Sequence, residues 1–385
     1  MLKIGIVGTG NIADAHITGY LEFPEECEIV ALNDLSPEVA AAKKEKFGLT
    51  GAKVFESPEE LFASGLDLVS ITTPPKSHAS LTVSALDAGI NVLVEKPMAP
   101  SLEECDLMLA AQVRSGKILS VVAQNRFRDD MATLKEAIDS GLIGAVSSVR
   151  VDSLWWRGLS YYDLWWRGTW ESEGGGCTLN HAIHHIDLLL WLLGKPEQVV
   201  SMITNAQHDN AEVEDLSVAI FRYGRALAQL TSSVVNHGED QEIVIQGEKA
   251  RISQPWKVNA ERAQPNGFPA EDGNTALIQQ LDALKDAHVP LENENHAGQI
   301  GDVLASIRQS RPPLISGIDG KNAVEIVTAI YKSGIEQGIV SLPLDESDPY
   351  YGVGGLAARA PHFFEKVQSV KELPGEIVVG SSVDK

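Results

Sequence analysis

The N-terminal segment contains the feature that most constrains the fold: an apolar run that ends in two closely spaced glycines. The run Lys3-Ile4-Gly5-Ile6-Val7 leads into Gly8-Thr9-Gly10-Asn11-Ile12-Ala13, and a helical pattern follows over 12–20. This is the G-x-G-x-x-G/A pattern in the context that it requires, with a strand before it and a helix after it. Gly8 permits a tight turn, and Gly10 lets backbone N–H groups approach a pyrophosphate at the positive end of the helix. The pattern therefore predicts a dinucleotide-binding loop, with contacts from Gly8, Thr9, Gly10, Asn11 and Ile12.

An acidic residue closes the second predicted strand, Glu28–Asn33. Asp34 lies about 20 residues past the glycine loop, where a carboxylate accepts hydrogen bonds from the adenosine ribose hydroxyls. The same carboxylate would repel a 2′-phosphate, and Leu35 offers no positive charge to hold one. The sequence therefore predicts NAD in preference to NADP, although Lys43 or Lys44 could favour the phosphate.

Short apolar strands alternate with helical patterns up to about residue 124. The predicted strands are Leu2–Val7, Glu28–Asn33, Leu66–Ile71, Asn91–Val94 and Ile118–Ala123. Such alternation is typical of an α/β domain, with a parallel sheet covered by helices on both faces. We therefore predict a dinucleotide-binding domain over residues 1–124.

The pattern changes after residue 124. Alternating apolar and polar residues predict strands over 146–153, 199–205, 216–221, 226–234 and 242–246. This alternation suits an antiparallel sheet with one solvated face, and helical patterns return over 274–338. We predict an α+β domain for substrate and oligomer contacts over 125–343, and a C-terminal arm or tail over 344–385.

Two polar segments follow neighbouring strands of the predicted parallel sheet. Glu95-Lys96-Pro97 closes Asn91–Val94, and Thr73-Pro74 closes the strand before it. In a doubly wound sheet the carboxyl ends of the strands border the ligand crevice, and a charge buried there is either paired or functional. Thr73, Pro74, Glu95 and Lys96 are therefore candidate cofactor contacts. His78 begins the next helix, where it either faces the nicotinamide or packs.

A histidine-rich segment follows the glycine triplet at 174–176, and we predict one helix over 177–193. Helical spacing places Asn180, His184, Asp187 and Trp191 on one face. Histidine suits proton removal from an alcohol at neutral pH, and Asn180 can orient the substrate or the imidazole.

Metal binding and core packing are the alternatives for these histidines. His181, His184, His185 and Asp187 do not converge on one point in a helix, and neither an HExxH pattern nor a cysteine pair accompanies them. We therefore predict no metal site, whereas core packing stays open for any single histidine.

Five of the seven tryptophans fall within residues 155–170, where Trp-Trp-Arg-Gly occurs twice. Rings with a polar edge suit a ligand with an apolar C–H face and hydroxyl groups, such as a pyranose or an inositol. Arginine adds forked donors for hydroxyls or phosphate. We predict substrate contacts from Arg157, Tyr161 and Trp165 and cofactor contacts from Trp166 and Arg167, with core packing or a subunit contact as the alternative.

The charge balance excludes several classes of partner. The formal net charge of 31 − 53 = −22 repels phosphate backbones and anionic membranes, so neither nucleic acid nor lipid is an expected partner. The three cysteines are widely spaced, which indicates a reducing compartment. A strand at 2–7 leaves no room for a signal peptide, and no run is long enough to span a membrane. We expect a cytoplasmic protein.

Together with Asn125-Arg126-Phe127, these motifs resemble the Gfo/Idh/MocA oxidoreductases, the glucose–fructose oxidoreductase and inositol dehydrogenase family, in order from residue 2 to about 343. The resemblance implies a Rossmann domain, then an α+β domain with a large open, mostly antiparallel sheet, and a homo-oligomer (dimer or tetramer) formed through that sheet. It implies Lys96 and His184 as the catalytic pair, a cis bond before Pro97, and Asn125 near the cofactor. It completes the substrate set as Lys96, Arg157, Tyr161, Trp165, Asn180, His181 and His184.

One departure from the family pattern concerns the residue before the catalytic histidine. Many members carry aspartate where this chain has Asn180, and Asn180-His181-Ala182-Ile183-His184 is similar to the N-Q-x-x-H branch, which includes dehydrogenases of nucleotide sugars and modified glycosides. The resemblance implies NAD-dependent oxidation of a ring hydroxyl on a sugar, glycoside or cyclic polyol. NAD-assisted glycoside cleavage is the alternative, and a non-catalytic dinucleotide-binding regulator is the third hypothesis.

Overall fold

Six parallel strands form the sheet of the N-terminal half. The computed structural model describes residues 1–371 and 373, and the order of this first sheet is β3-β2-β1-β4-β5-β6. Its strands are β1 (Leu2–Val7), β2 (Cys27–Asn33), β3 (Lys53–Phe55), β4 (Leu68–Ile71), β5 (Asn91–Val94) and β6 (Leu119–Val121). This is the doubly wound order, in which the crevice lies at the carboxyl ends of β1 and β4. The predicted parallel α/β architecture is confirmed, and the short edge strand β3 was missed because it carries only three residues.

Helices cover both faces of this sheet. They are α1 (Ala13–Leu21), α2 (Pro37–Lys46), α3 (Pro58–Phe62), α4 (His78–Asp87) and α5 (Leu102–Ser115). Helix α6 (Asp129–Asp139) follows a short 3-10 turn at Gln124–Phe127 and packs in the second half of the chain. Strands β4 and β5 are buried at every position, which explains their continuous apolar sequences.

An eight-stranded sheet dominates the second half, in the order β13-β12-β11-β7-β10-β9-β8-β14. Its strands are β7 (Val146–Leu154), β8 (Gln198–Thr204), β9 (Leu216–Tyr223), β10 (Ala226–Ser233), β11 (Gln241–Gly247), β12 (Arg251–Gln254), β13 (Lys257–Asn259) and β14 (Val340–Ser341). Every pairing is antiparallel except that of β7 with β10. The expected open, mostly antiparallel sheet is therefore confirmed.

The histidine-rich segment forms two helices, α7 (Cys177–Asn180) and α8 (Ile183–Leu193). The prediction of one continuous helix was wrong at residues 181–182. The amides of both His181 and Ala182 donate to the carbonyl of Cys177, so the turn contains one residue too many for a regular helix. The extra residue breaks the four-residue spacing that was to place Asn180 and His184 on one face.

Three helices follow β13: α9 (Thr275–Asp286), which packs on α6 and β13 in the second half, α10 (Asn295–Gln309) and α11 (Gly317–Glu336). Helix α10 lies against α1, where Ile300, Val303 and Leu304 join the core of the nucleotide-binding half. Helix α11 packs on α5, α8 and β8, and it begins with a capping box made by Ser316 and Asp319. No helix among the described residues is long and apolar enough to cross a membrane.

The segment after β14 packs on its own chain as an arm. The carbonyl of Tyr351 accepts a hydrogen bond from the amide of Glu103, and Val370 forms a parallel bridge with Leu164. The arm therefore touches both halves. The predicted domain bounds stay a prediction, and the part of the predicted tail beyond residue 373 lies outside the described residues.

Candidate functional site

The glycine loop lies between β1 and α1 at the carboxyl end of the first sheet. Gly8 has φ +86°, and a Cβ there would lie 2.8 Å from Thr73 Cγ2, so this turn requires glycine. A Cβ at Gly10 would meet nothing within 4 Å. Asn11 is exposed at the start of α1 and Ile12 is half-buried. The loop thus presents backbone N–H groups to open space, which fits a pyrophosphate.

Asp34 lies at the end of β2 and fastens the glycine loop. Its Oδ2 accepts hydrogen bonds from the amide of Thr9 at 2.7 Å and from Thr9 Oγ1 at 3.0 Å, and Oδ1 accepts from the amide of Ser36 at 3.1 Å. Because a carboxylate has about four lone-pair sites, one of them stays available on Oδ1 for a ribose hydroxyl. Lys43 pairs with Asp14, so its charge is already engaged.

His78 is fully buried at the start of α4. Its Nδ1 lies 2.8 Å from the carbonyl oxygen of Pro97 and its Nε2 lies 2.7 Å from that of Thr73. Both ring nitrogens of His78 are therefore engaged by the backbone, which favours the packing alternative. We do not include His78 among the proposed cofactor contacts. Thr73 and Pro74 remain, half-buried and exposed respectively, beside Gly8.

Glu95 faces a buried cluster rather than the open crevice. Its Oε1 lies 3.0 Å from His16 Nε2 and 3.7 Å from His296 Nε2, and its Oε2 accepts a hydrogen bond from the amide of Lys96. Burial raises the pKa of Glu95, but the hydrogen bond from His16 and the proximity of His296 outweigh burial and hold this pKa well below its ordinary range. A His16 protonated at Nε2 donates to Glu95, while its Nδ1 accepts from the hydroxyl of Ser70.

This cluster was missed by the sequence analysis because its members come from α1, β5 and α10. Among the described residues it is the one group of three histidine or acidic side chains whose donor atoms all lie within 4.8 Å of one another. The histidines of α7 and α8 are not part of it. His16 and the amide of Lys96 engage Glu95, whereas His296 Nε2 is buried without a hydrogen-bond partner among the described residues.

Lys96 and His184 line the same small cavity between the two halves, together with Met98 and Ile183. Lys96 follows β5, and its Nζ donates to the carbonyl oxygen of Asn180 at 3.0 Å. The Lys96–Pro97 bond is cis. Burial lowers the pKa of Lys96, and burial together with the charge of Lys96 holds the pKa of His184 well below 6.5. The imidazole is therefore neutral at pH 7 and can accept a proton.

Asn180 does not point its amide toward His184. Its Nδ2 donates to Glu173 Oε1 at 2.8 Å and to the carbonyl of Gly175 at 3.1 Å, and the predicted role of this side chain in orienting the substrate stays a prediction. These bonds tie Asn180 to the segment that precedes α7. What Asn180 offers the site is its backbone oxygen, which holds Lys96.

Glu173 connects the arginine of the tryptophan-rich segment to Asn180. Its Oε1 also accepts from Arg167 Nη1 at 2.6 Å, and its Oε2 accepts from the amide of Gly168 at 2.6 Å. The carboxylate is wholly buried. Glu173 was missed by the sequence analysis because it belongs to no recognised motif. Its spacing of six residues from Arg167 was the only available signal.

The tryptophan-rich segment forms a layered cluster over this network. The guanidinium of Arg167 lies 4.1 Å from the ring centre of Trp166 and 4.3 Å from that of Tyr161. Arg157 lies over Tyr161 at 5.9 Å, and its Nη1 donates to Glu239. The ring of His181 packs against Tyr161, and its Nδ1 is buried without a hydrogen-bond partner among the described residues.

The predicted substrate residues thus lie in two groups. Trp165 is 56% exposed at the edge of the cluster, whereas Tyr161 and His181 lie beneath it. Asn125 lies half-buried in the 3-10 turn after β6. Asp187 lines the same cavity as His184, and it also makes a buried ion pair with Arg126 at 2.7 Å.

The glycine triplet is explained by a buried carboxylate. The amides of Gly176 and Thr178 donate to Glu214, and Tyr331 donates its hydroxyl proton to Glu214 Oε1. A Cβ at Gly176 would lie 1.8 Å from the carbonyl oxygen of Glu214, and one at Gly175 would lie 2.2 Å from the Tyr331 hydroxyl. Burial raises the pKa of Glu214 to about 7. The triplet therefore permits close packing of the start of α7 against Glu214 and Tyr331.

Two family profiles match most of the two halves. One, described as an oxidoreductase family with an NAD-binding Rossmann fold, matches residues 2–123, and the other, the GFO/IDH/MocA C-terminal domain, matches residues 131–253. The chain therefore belongs to the Gfo/Idh/MocA oxidoreductases. The predicted family, enzyme class and NAD cofactor are confirmed.

Relatives of known activity act on cyclitols and glucosides. Myo-inositol 2-dehydrogenase of Thermotoga maritima is 25% identical over 89% of this chain and 98% of its own. D-glucoside 3-dehydrogenase of Escherichia coli is 31% identical over 51% of this chain and 55% of its own. The WlbA dehydrogenase from Bordetella pertussis, solved with NADH and UDP-GlcNAcA, superposes with a TM-score of 0.75 at 28% identity, over 89% of this chain and 98% of its own.

Proposed function

We propose that the protein oxidises a ring hydroxyl of a sugar, glycoside or cyclic polyol with NAD, through Lys96 and His184. The single observation that supports this best is their shared cavity, which brings an amine from the nucleotide half beside an imidazole from the other half. A residue without a catalytic role would not need to carry its charge into that cavity at the cost of desolvation.

The two side chains have complementary tasks in this mechanism. Neutral His184 takes the proton of the hydroxyl, because its pKa is depressed and it is unprotonated at pH 7. Lys96, steadied by the carbonyl of Asn180, donates a hydrogen bond to the same oxygen and stabilises its developing negative charge. When bound, NAD supplies the hydride acceptor. In a plot of kcat/KM against pH, we therefore expect the loss of activity caused by protonation of His184 to occur below pH 6.5.

The residues that would hold NAD are those around the glycine loop. Gly8, Thr9, Gly10, Asn11 and Ile12 form the turn at the start of α1, and the open space before Gly10 fits a pyrophosphate. Asp34 would receive the ribose, and Arg167 with Trp166 would reach the nicotinamide end. NAD rather than NADP follows from the carboxylate of Asp34.

The substrate class follows from the aromatic cluster and from the relatives. Trp165, Tyr161 and the guanidinium groups of Arg157 and Arg167 offer flat faces and forked donors, which suit a pyranose or cyclitol ring. Named relatives act on inositol and D-glucosides, and one solved neighbour holds a nucleotide sugar. We propose a glycoside or nucleotide sugar ahead of free inositol, because Asn180 replaces the family's aspartate.

The test is turnover with NAD against methyl β-D-glucopyranoside, a uridine diphosphate sugar and myo-inositol, following NADH absorbance and the products by mass spectrometry. Lys96→Met is the control that should give neither NADH nor product. NADH in proportion to ketone supports the proposal. Cleaved glycoside without net NADH supports NAD-assisted cleavage instead. Neither product from any substrate, with NAD bound, overturns the proposal in favour of a regulator.

We also propose a homo-oligomer formed through the outer face of the second sheet, in a reducing compartment such as the cytoplasm. Met202 is 81% exposed there, and Ile220 and Leu227 on the neighbouring strands are exposed as well. Such a row of apolar side chains is typical of an interaction site. All three cysteines are free and buried. Ile220→Lys should lower the molar mass measured by light scattering, and an unchanged mass would contradict this interface.

A further inference from the structure

The segment between β7 and α7 is long, carries several proposed ligand contacts, and has only one 3-10 turn of its own, at Leu159–Asp163. A connection of this length in a compact protein is functional or needs outside support to be ordered. Here we call residues 159–170 the ligand loop, because Tyr161, Trp165, Trp166 and Arg167 lie within it.

Outside support comes from residues 361–370 of the C-terminal arm, which we call the clamp. Val370 forms an isolated parallel β-bridge with the loop. The amide of Trp165 donates to the carbonyl of Val370, and the amide of Val370 donates to the carbonyl of Asp163, both at 2.8 Å. At the far end of the loop, Trp170 Nε1 donates to the carbonyl of Pro361 at 2.8 Å. The clamp therefore contacts the middle of the loop and its C-terminal end.

Lys366 makes the contact nearest to the proposed cofactor residues. Its Nζ donates to the carbonyl oxygens of Tyr162 and Leu164. The same Leu164 oxygen accepts the amide of Arg167 at 2.9 Å. One carbonyl is thus shared between the clamp's ammonium and the backbone of the arginine that stacks on Trp166.

Asn210 fastens the clamp to the second half of the protein. Its Oδ1 accepts the amides of Val367 and Gln368 at 2.8 and 2.9 Å, while its Nδ2 donates to Asp163 Oδ1 at 2.8 Å. Asn210 is buried, so each of these bonds replaces one to water at a site where leaving it unmade is costly. The contacts are hence specific rather than incidental.

We infer that the clamp is a working part of the ligand site, with Lys366 and Asn210 as positioning residues that hold Arg167, Trp166 and Trp165 where NAD and sugar meet them. The clamp lies outside both family-profile matches, the second of which ends at residue 253. The part that concerns the sugar rests on the function proposed above, whereas the part that concerns NAD does not.

The first test uses Lys366→Met in the full chain, which keeps the alkyl stem but removes the ammonium, with the exposed Lys371→Met as its matched control. We expect the Kd of NAD, read from tryptophan fluorescence, to rise about fivefold, because a loop that must order on binding binds more weakly. KM for methyl β-D-glucopyranoside should rise more than kcat falls. The thermal midpoint should move by less than about 2 °C.

The second test compares a chain that ends at Ala360 with one that ends at Lys371. The shorter chain should bind NAD about tenfold more weakly or worse, and the longer one should match the full protein. NAD binding unchanged in the shorter chain overturns the inference, as does a loss in Lys366→Met that only follows a lowered thermal midpoint. If the intact protein gives no turnover with any sugar, the proposed function fails, and the NAD measurements still decide the role of the clamp.

Discussion

Glycine has different roles in the loop at 8–13 and in the triplet at 174–176. In the first, the space in front of Gly10 is open, and a side chain there would meet only an incoming ligand. In the second, Gly175 and Gly176 are filled from behind by Tyr331 and Glu214. A glycine cluster thus borders open space in one half and permits close protein packing in the other. The two kinds of glycine cluster can be distinguished only by contacts between residues that are distant in sequence.

The largest expected effect concerns the cavity where the two halves meet. Lys96→Met and His184→Ala should each lower turnover about a thousandfold or more, because each removes a group that acts on the reacting oxygen. NAD binding should stay within about threefold of the parent, since the glycine loop is untouched. Turnover assays and fluorescence titration measure both. Unchanged turnover in either variant would contradict the catalytic pair.

Alanine at the two kinds of glycine tests the comparison directly. Gly176→Ala should lower the free energy of unfolding by about 3 kcal/mol or more, because its Cβ would overlap the Glu214 carbonyl. Gly10→Ala should leave stability within about 0.5 kcal/mol but weaken NAD about tenfold. Urea unfolding and NAD titration of both variants provide the measurement. Equal losses of stability would erase the distinction.

Glu214 should give the packed region a pH dependence. Its folded pKa of about 7 exceeds the ordinary 4.5, so the folded state binds the extra proton and loses stability as pH rises through this window. Glu214→Gln removes this titration. As pH rises from 4.5 to 7, the free energy of unfolding of the variant should therefore increase relative to that of the parent by up to about 3 kcal/mol. Urea unfolding across this range measures it, with the exposed Glu248→Gln as control. A parallel pH profile for parent and variant would show that Glu214 titrates normally.

The smallest effect concerns cofactor choice in the open region. Asp34→Ala should weaken NAD about tenfold and NADP less, since the carboxylate that favours a free ribose hydroxyl is lost. Asp34→Asn keeps an oxygen that can accept the hydrogen bond from the Thr9 amide but removes the negative charge. Comparing it with Asp34→Ala therefore distinguishes the effect of loop anchoring from the effect of charge. Binding titrations with both dinucleotides provide the comparison. A larger loss for NADP would reverse the cofactor assignment.

Local patterns predicted the first half well and the second half less well. The glycine loop and the strand ends at Thr73 and Lys96 could be predicted because strand periodicity places them at one edge of the first sheet. The role of Asn180 and the break at 181–182 could not, because both depend on Glu173 and on one extra residue in a turn. The cluster of His16, Glu95 and His296 assembles from three distant segments, and no spacing reveals it.

The return of α10 to the first half has a practical consequence for anyone who wants to isolate the nucleotide-binding unit. Ile300, Val303 and Leu304 seal one side of α1, and the side chain of Ile300 occupies the space above Gly19. A fragment cut at residue 124 would leave that groove bare and prone to aggregation. An excised unit that folds autonomously must therefore carry residues 295–309, joined to the first 124 by an artificial linker.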